Sequence, residues 1–182
     1  MSGLIFTLDL ATRTGWAKGR SGEKPSSGAF DLKTASESIT IGKLCNRLCQ
    51  RLLKHWDDEK PMIVVAEELM RLSGFALNKN SEENVKTQIS LHAAAMMAAD
   101  ISGVRLVYAH PSTVSKHFVD HGGLKRAEKK AAFVKRAQLL GYIEKSNFDD
   151  NQADALAVWD YACAKYSRAI PAELHFFGEV KC

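Results

Sequence analysis

Long apolar runs are missing from the 182-residue sequence. None approaches the ~18–20 residues that a membrane-spanning helix needs, so no membrane partner is expected. Proline is scarce at four residues, and no internal repeat or low-complexity block breaks the chain. Collagen-like, repeat-built and disordered classes are therefore excluded. The four cysteines (Cys45, Cys49, Cys163 and Cys182) match no zinc spacing and are too few for a disulfide scaffold. Asp9 follows Leu4-Ile5-Phe6-Thr7-Leu8, a carboxylate where a signal peptide needs its apolar centre. A reduced, cytoplasmic and non-secreted setting is the expectation. Charge of neither sign dominates: 25 basic against 21 acidic residues leave a net +4, a mild hint of an anionic partner.

What is present is globular composition, 46% hydrophobic and 25% charged. A chain of this size buries roughly 70% of its extended surface and needs no staples. A single domain over residues 1–182 is expected, with a core at about 4–166 and a tail at 167–182. Leu4–Leu10 reads as a short apolar strand, and Trp16–Gly19 and Ser27–Leu32 as two more in an antiparallel meander. Ile41, Leu44, Cys45, Leu48, Cys49, Leu52, Leu53 and Trp56 then recur at helical steps across Ser38–Trp56. Met62–Ala66 and Val104–Tyr108 read as further strands. Ser81–Ala99 reads as a helix with Ser81 as N-cap and Val85, Ile89, Ala93, Met96 and Met97 facing inward. Pro111 opens a short helix, Lys125–Leu140 forms a basic one and Asn151–Tyr166 an Ala-rich one. This order predicts an α/β domain, a mixed central sheet flanked by helices.

The chemistry lies in acids that interrupt apolar patterns. Asp9 closes the first strand, Glu67 follows Ile63-Val64-Val65-Ala66, and Asp154 sits inside Ala153-Asp154-Ala155-Leu156-Ala157-Val158-Trp159. A carboxylate in such surroundings is costly unless something positive accompanies it. Asp150 and Asn151 share the helix face of Asp154, at four and three residues' distance. Hard oxygen donors of this kind suit Mg²⁺ or Mn²⁺, and two such ions can serve phosphodiester cleavage. Singly, each acid has an ordinary reading: Asp9 as a turn residue, Asp149 or Asp150 as a helix cap. Glu68 is as eligible as Glu67 for the buried position, since strand alternation says only that the two point oppositely. Capping cannot explain Asp154.

These residues resemble a known family. Leu8-Asp9-Leu10-Ala11-Thr12-Arg13-Thr14-Gly15-Trp16-Ala17, Val64-Val65-Ala66-Glu67 and Asp150-Asn151-Gln152-Ala153-Asp154-Ala155-Leu156-Ala157 are similar to segments of the RuvC-type Holliday-junction resolvases, of the ribonuclease H-like superfamily. The likeness runs from about residue 4 to 166, in the same order. It implies a ribonuclease H-like fold and a two-metal endonuclease that cuts four-way DNA junctions by paired nicks, leaving 5′-phosphate and 3′-hydroxyl ends. It also implies a homodimer, no nucleotide cofactor and a bacterial or phage-encoded source. Asp9, Glu67 and Asp154 are the implied ligands of two Mg²⁺ (or Mn²⁺) ions. The family's fourth ligand falls at Asn151, with the acid one residue earlier at Asp150; Asp150 is favoured because a charged oxygen binds a divalent ion better. Lys129, in Arg126-Ala127-Glu128-Lys129, resembles a phosphate-binding lysine of the active site, and Arg13 is an implied DNA contact.

The basic helix supports an anionic substrate separately. Lys125, Lys129 and Arg136 fall within about 40° of one another on a helical wheel, opposite Ala127, Ala131 and Val134. A stripe of this kind contacts phosphates. The loop after Glu67 is apolar; the resemblance implies that Met70 or Phe75 is a wedge into the junction, and the alternative is packing against the body or a dimer partner. The apolar helix Ser81–Ala99 is a candidate dimer surface. His117 and His121, like Cys45 and Cys49, have i,i+4 spacing but no convergent partners, and His110 reads as local capping. Competing readings are a related nuclease for flaps, forks or RNA–DNA hybrids, a catalytically silent junction-binding protein, and an actin-like or sugar-kinase ATPase. The last lacks a second Gly-rich phosphate loop.

Overall fold

The computed structural model describes residues 3–33, 38–69 and 79–167, with the backbone alone at 79–81. Among these residues five strands and five helices follow in the order β1 (Ile5–Asp9), β2 (Arg13–Gly19), β3 (Ser26–Asp31), α1 (Ile41–Asp58), β4 (Ile63–Glu67), α2 (Lys79–Ser102), β5 (Arg105–Ala109), α3 (Pro111–Val119), α4 (Arg126–Leu139) and α5 (Asp150–Tyr166). The strands form one mixed sheet in the order β3-β2-β1-β4-β5. The meander β1–β2–β3 is antiparallel, while β1–β4 and β4–β5 are parallel. This is the expected ribonuclease H-like α/β architecture.

Period-two alternation divides the core between the two sheet faces. Phe6, Leu8, Val64 and Ala66 pack against α1 and α2, with Leu44, Leu48, Leu52, Leu91 and Ala95. Ile5, Ile63 and Val65 face α3, α4 and α5, with Phe118, Phe133, Leu156 and Val158. Helix α5 is buried almost all round, as an apolar helix enclosed between a sheet and other helices should be. Its alanines let it approach the sheet closely. The buried Thr7 hydroxyl on β1 donates to the Ala155 carbonyl at 2.8 Å, and Gly15 on β2 leaves room for the Asn151 carbonyl.

Two helix faces differ from expectation. Helix α2 already includes Lys79 and Asn80, so Ser81 lies within it and is not its N-cap. Its buried side carries Leu91, Ala94, Ala95, Ala98 and Ala99, whereas Ile89, Ala93, Met96 and Met97 point outward and Val85 is only half-buried. Alanine is small enough to meet the sheet, so the bulkier apolar stripe was left outside. On α4, Ala127 and Ala131 are exposed and the inner face is Phe133, Val134 and Ala137. Lys125 and Arg136 are exposed as expected, but Lys129 turns inward and is half-buried. Phe133 anchors this helix, which rotates the wheel away from the alanines.

Smaller differences lie at the ends. Helix α1 starts at Ile41, capped by Thr40, whose side chain accepts from the Lys43 N–H. Strand β2 extends back to Arg13. His110 caps α3, with Pro111 in its first turn, in line with its reading as capping chemistry.

Candidate active site

Strand parity decides which acids meet. Asp9 is two residues beyond Thr7 and Glu67 two beyond Val65, so both fall on the α5 side of the sheet. The register pairing Leu8 with Ala66 brings Asp9 and Glu67 to the carboxyl ends of adjacent parallel strands, the usual place for a ligand crevice in an open α/β sheet. Helix α5 crosses over this end and contributes Asp154 one turn in. Glu67, not Glu68, therefore belongs with Asp9. Glu68 is exposed on the rim, its N–H donating to the Ala109 carbonyl at 2.8 Å.

The three carboxylates line one cleft of about 520 Å³, with Glu68 at its rim, together with Leu69, Gln88, His92, His110, Ser112, Arg126, Lys129, Lys130 and Asn151. Asp154 is only 8% exposed, and its Oδ1 is buried without a hydrogen-bond partner among the described residues. Burial pushes the Asp9 carboxyl up to about 8, with the charges of Asp154 and Glu67 adding to the effect and Lys129 and Lys130 opposing it. Asp154 is pushed up to about 6, again chiefly by burial. Carboxyls held this far from their ordinary ionisation by burial and by one another cluster at functional sites.

Two lysines of α4 supply the local positive charge. Lys129 Nζ lies 3.1 Å from Glu67 Oε1 and 4.9 Å from the centre of the Phe133 ring. Lys130 pairs with Asp150. The Asp150 carboxylate also accepts from the Asn151 side-chain amide at 3.2 Å. Asn151 lines the cleft while Asp150, turned to Lys130, does not. Asp149 caps α5, accepting from the N–H groups of Asn151 and Gln152, and pairs with Arg13. Arg13 also reaches Asp31 at 2.5 Å, so its charge is spent on two acids.

The donor set suits a hard divalent cation. It consists of carboxylate oxygens in a low-dielectric wall, one of them orphaned, beside an amide oxygen. Among the described residues, no three Asp, Glu, His or Cys side chains are gathered tightly enough to grip an ion as they stand. Lys129 and Lys130 instead occupy Glu67 and Asp150. The orphaned Asp154 Oδ1 and the raised Asp9 are the two signs that the cluster is not complete with these lysines alone.

Comparison with protein-family models and with curated protein sequences finds no match. Solved structures do match. RuvC of Thermus thermophilus superposes with a TM-score of 0.66 at 19% identity, over 91% of this chain and 95% of that one. The same organism's RuvC in complex with a Holliday junction substrate gives 0.65 at 17%, with the same coverage. The fold is that of the RuvC resolvases. Ydc2, the yeast mitochondrial Holliday junction resolvase, shares it with a TM-score of 0.56 at 14% identity, over 90% of this chain and 81% of that one. Within this RuvC-type fold Asp9, Glu67, Asp154, Asn151 and Lys129 come together, while Asp150 and Arg13 are held in ion pairs beside them.

Met70 and Phe75 lie outside the described residues, as does the tail beyond Ser167. His117 and His121 form no pair: His117 Nε2 contacts Asp160 Oδ2 at 2.9 Å, and His121 Nδ1 accepts from the Gly123 N–H. Cys45 is instead a donor to the Ser90 carbonyl. Sequence reasoning missed Lys130, His92 and the His110–Ser112 corner of the cleft. Lys130 was within reach, because a wheel centred on Phe133 and Ala137 places it on the inner face.

Proposed function

We propose that this protein is a divalent-metal-dependent endonuclease that resolves four-way DNA junctions by paired symmetric nicks, leaving 5′-phosphate and 3′-hydroxyl ends. The observation that carries the reading is the convergence of Asp9, Glu67 and Asp154 on one cleft, with Asp154 Oδ1 buried and unpartnered among the described residues. The RuvC-type fold and the junction-bound relative support it.

Asp9, Glu67 and Asp154 would hold two Mg²⁺ or Mn²⁺ ions, with Asn151 supplying an amide oxygen or Asp150 exchanging Lys130 for the metal. The chemistry such ions supply is activation of the attacking water and neutralisation of the departing 3′ oxygen. The chain's own part is positional. Thr7 and Gly15 seat α5 so that Asp154 stands over Asp9, and the apolar wall around Asp154 keeps water from relaxing the carboxylate. Lys129 steadies Glu67 and adds positive charge where a phosphate would enter, with Arg126 and the exposed Lys125 and Arg136 extending that field along α4.

Paired nicks on a two-fold junction call for two sites facing alike, hence a homodimer. Ile89, Met96, Met97 and Ile101 on α2 are 49%, 55%, 50% and 62% exposed. With Ala93 they form one apolar stripe suited to an isologous contact.

The test is cleavage of labelled four-way junction, flap, duplex and RNA–DNA hybrid in Mg²⁺ or in EDTA. Paired nicks confined to the junction and abolished by EDTA are expected, and Asp154→Asn should bind the junction without cutting it. Cutting of another substrate with the junction left intact would overturn the reading.

A further inference from the structure

Lys130 occupies a place on α4 where packing calls for an apolar side chain. It precedes Phe133, Val134 and Ala137, the buried residues of the helix, by three, four and seven positions, and so shares their face. It lines the cleft and pairs with Asp150 in the first turn of α5. The other Asp150 oxygen, Oδ1, accepts from the Asn151 amide nitrogen at 3.2 Å. The Asp150 carboxylate is thus engaged through both oxygens, and the Asn151 amide keeps its oxygen for the cleft. Folding gains little from the pair. Both side chains are 34% exposed, and ion pairs this open to water contribute weakly. A carboxylate in the first turn of a helix is favourable there without a lysine. The pair matters for the charge of the site. With Asp9, Glu67, Asp150 and Asp154 ionised, Lys129 and Lys130 cancel half the negative charge, and one divalent ion cancels the rest. A second ion finds Asp150 already holding a cation.

On the reading of the protein as a metal-dependent nuclease, we propose that Lys130 is a tethered cation: it holds Asp150 while the site lacks its second divalent ion, and passes to a phosphate of the substrate once Asp150 turns to that ion. The exchange is one of ionic partners, with no covalent bond made and no proton moved. An ammonium on a flexible four-carbon stem, with three rotatable donors, can leave one anion for another without moving its helix. Lys129 is placed differently. Its side chain is 21% exposed, its partner Glu67 is 15% exposed, and the Phe133 ring lies 4.9 Å from its Nζ. Lys129 is therefore the fixed charge of the two and Lys130 the exchangeable one. An ion that draws on Asp150 also has a second donor at hand. Asp154 lies one turn further along the same face of α5, and its buried Oδ1 has no hydrogen-bond partner among the described residues. The two binding events are then coupled: an ion on Asp150 tightens the grip on DNA, and DNA tightens the hold on that ion by the same factor.

Two measurements on the full chain test this, neither of them cleavage. In the first, uptake of Mn²⁺ by the DNA-free protein is counted from the loss of the free-ion EPR signal. Wild type should bind one ion per chain, Lys130→Met two, and Lys130→Met/Asp150→Asn one again. Lys130→Gln, polar where methionine is not, should repeat the Lys130→Met result. Lys135→Met, which removes an exposed lysine of the same helix, should behave as wild type. In the second, affinity for a labelled four-way junction is followed across a salt series in EDTA and in Ca²⁺, which takes the same oxygen donors. Lys130→Met should make the slope of log affinity against log salt shallower by about 0.9 in Ca²⁺ and leave it unchanged in EDTA. Two ions already in wild type, no second ion in Lys130→Met, or a second ion retained after Asp150→Asn overturns the exchange. So does a slope that changes equally in Ca²⁺ and EDTA, or in neither. A wild type that still binds Mn²⁺ alongside any of these results keeps the metal-dependent reading. No Mn²⁺ uptake by any variant removes both.

Discussion

Gly15 on β2 lies against the backbone carbonyl of Asn151 at the start of α5: a Cβ on Gly15 would stand 1.9 Å from that oxygen and 3.3 Å from the Ala155 Cβ. The absent side chain is what lets α5 settle on the sheet, and so what sets Asp154 over Asp9. Because the obstacle is backbone, no rotamer change can relieve it, and Gly15→Ala must lift the helix. A loss of roughly 1–3 kcal/mol or more is expected, read by urea denaturation, with cleavage falling further than stability alone accounts for. Gly42→Ala, where nothing lies within 4 Å, should be neutral or slightly stabilising because alanine is the better helix former. Equal behaviour of the two variants would remove Gly15 from this role.

The acidic cluster predicts a pH dependence of the metal-free protein. Asp9 rises from 3.8 to about 8 in the folded state, and Asp154 from 3.8 to about 6. Between those limits the folded protein holds protons that the unfolded chain has released, so stability falls as pH rises from near 4 towards 8. Asp154→Asn should remove part of this slope. In EDTA at pH 8 it should be more stable than wild type by on the order of 1 kcal/mol, worth about 2–4 °C in melting temperature; at pH 4 the two should coincide. Mg²⁺ should raise the wild-type melting temperature at pH 8 and Asp154→Asn far less. A wild-type melting temperature independent of pH would contradict the buried cluster.

Lys129 offers a third measurement. Its ammonium is the partner of Glu67 at 3.1 Å, with side-chain exposures of 21% and 15%, so removing it strands a largely buried carboxylate. Lys129→Met should cost about 1–3 kcal/mol at neutral pH. The double variant with Glu67→Gln should recover part of the loss, since the uncompensated charge goes too. If Lys129 also meets a phosphate, the slope of log affinity against log salt should become shallower by about 0.9 in Lys129→Met. An unchanged slope would confine Lys129 to holding Glu67.

Much of this organisation was legible because it rests on local pattern. The parity of Ile5-Phe6-Thr7-Leu8-Asp9 and the misplaced acid in the α5 alanine run are properties of single segments, readable without a fold. What escaped depended on contacts between segments. Glu67 and Glu68 could be separated only once β4 was registered against β1 and Lys129 was seen to come from α4. On α4 the helical pattern sets Ala127 and Ala131 beside Val134 as the buried face, but only Val134 is buried, because Phe133, with far more apolar surface to hide, sets the rotation. The α2 face departs from the pattern for the opposite reason. There the sheet allowed only alanine-sized contacts beside Leu91, and hydrophobicity alone cannot tell a core-facing methionine from an exposed one.

That outward face of α2 yields the last prediction. Ile89, Ala93, Met96, Met97 and Ile101 recur at helical steps of three and four along one side, so they present a continuous apolar strip. None is buried within the chain, so charging the strip should leave the monomer's core untouched. The double variant Met96→Glu/Ile101→Lys should keep the wild-type melting temperature at low protein concentration, yet sediment as a monomer where wild type sediments as a dimer. Leu91→Glu, on the buried side of the same helix, should unfold the protein and serves as the contrast. If dimerisation is what couples the two cuts, the monomeric variant should nick junctions one strand at a time, with the second nick no longer following the first within the lifetime of the complex. A wild type already monomeric at micromolar concentration, or a Met96→Glu/Ile101→Lys protein still dimeric, would place the interface elsewhere.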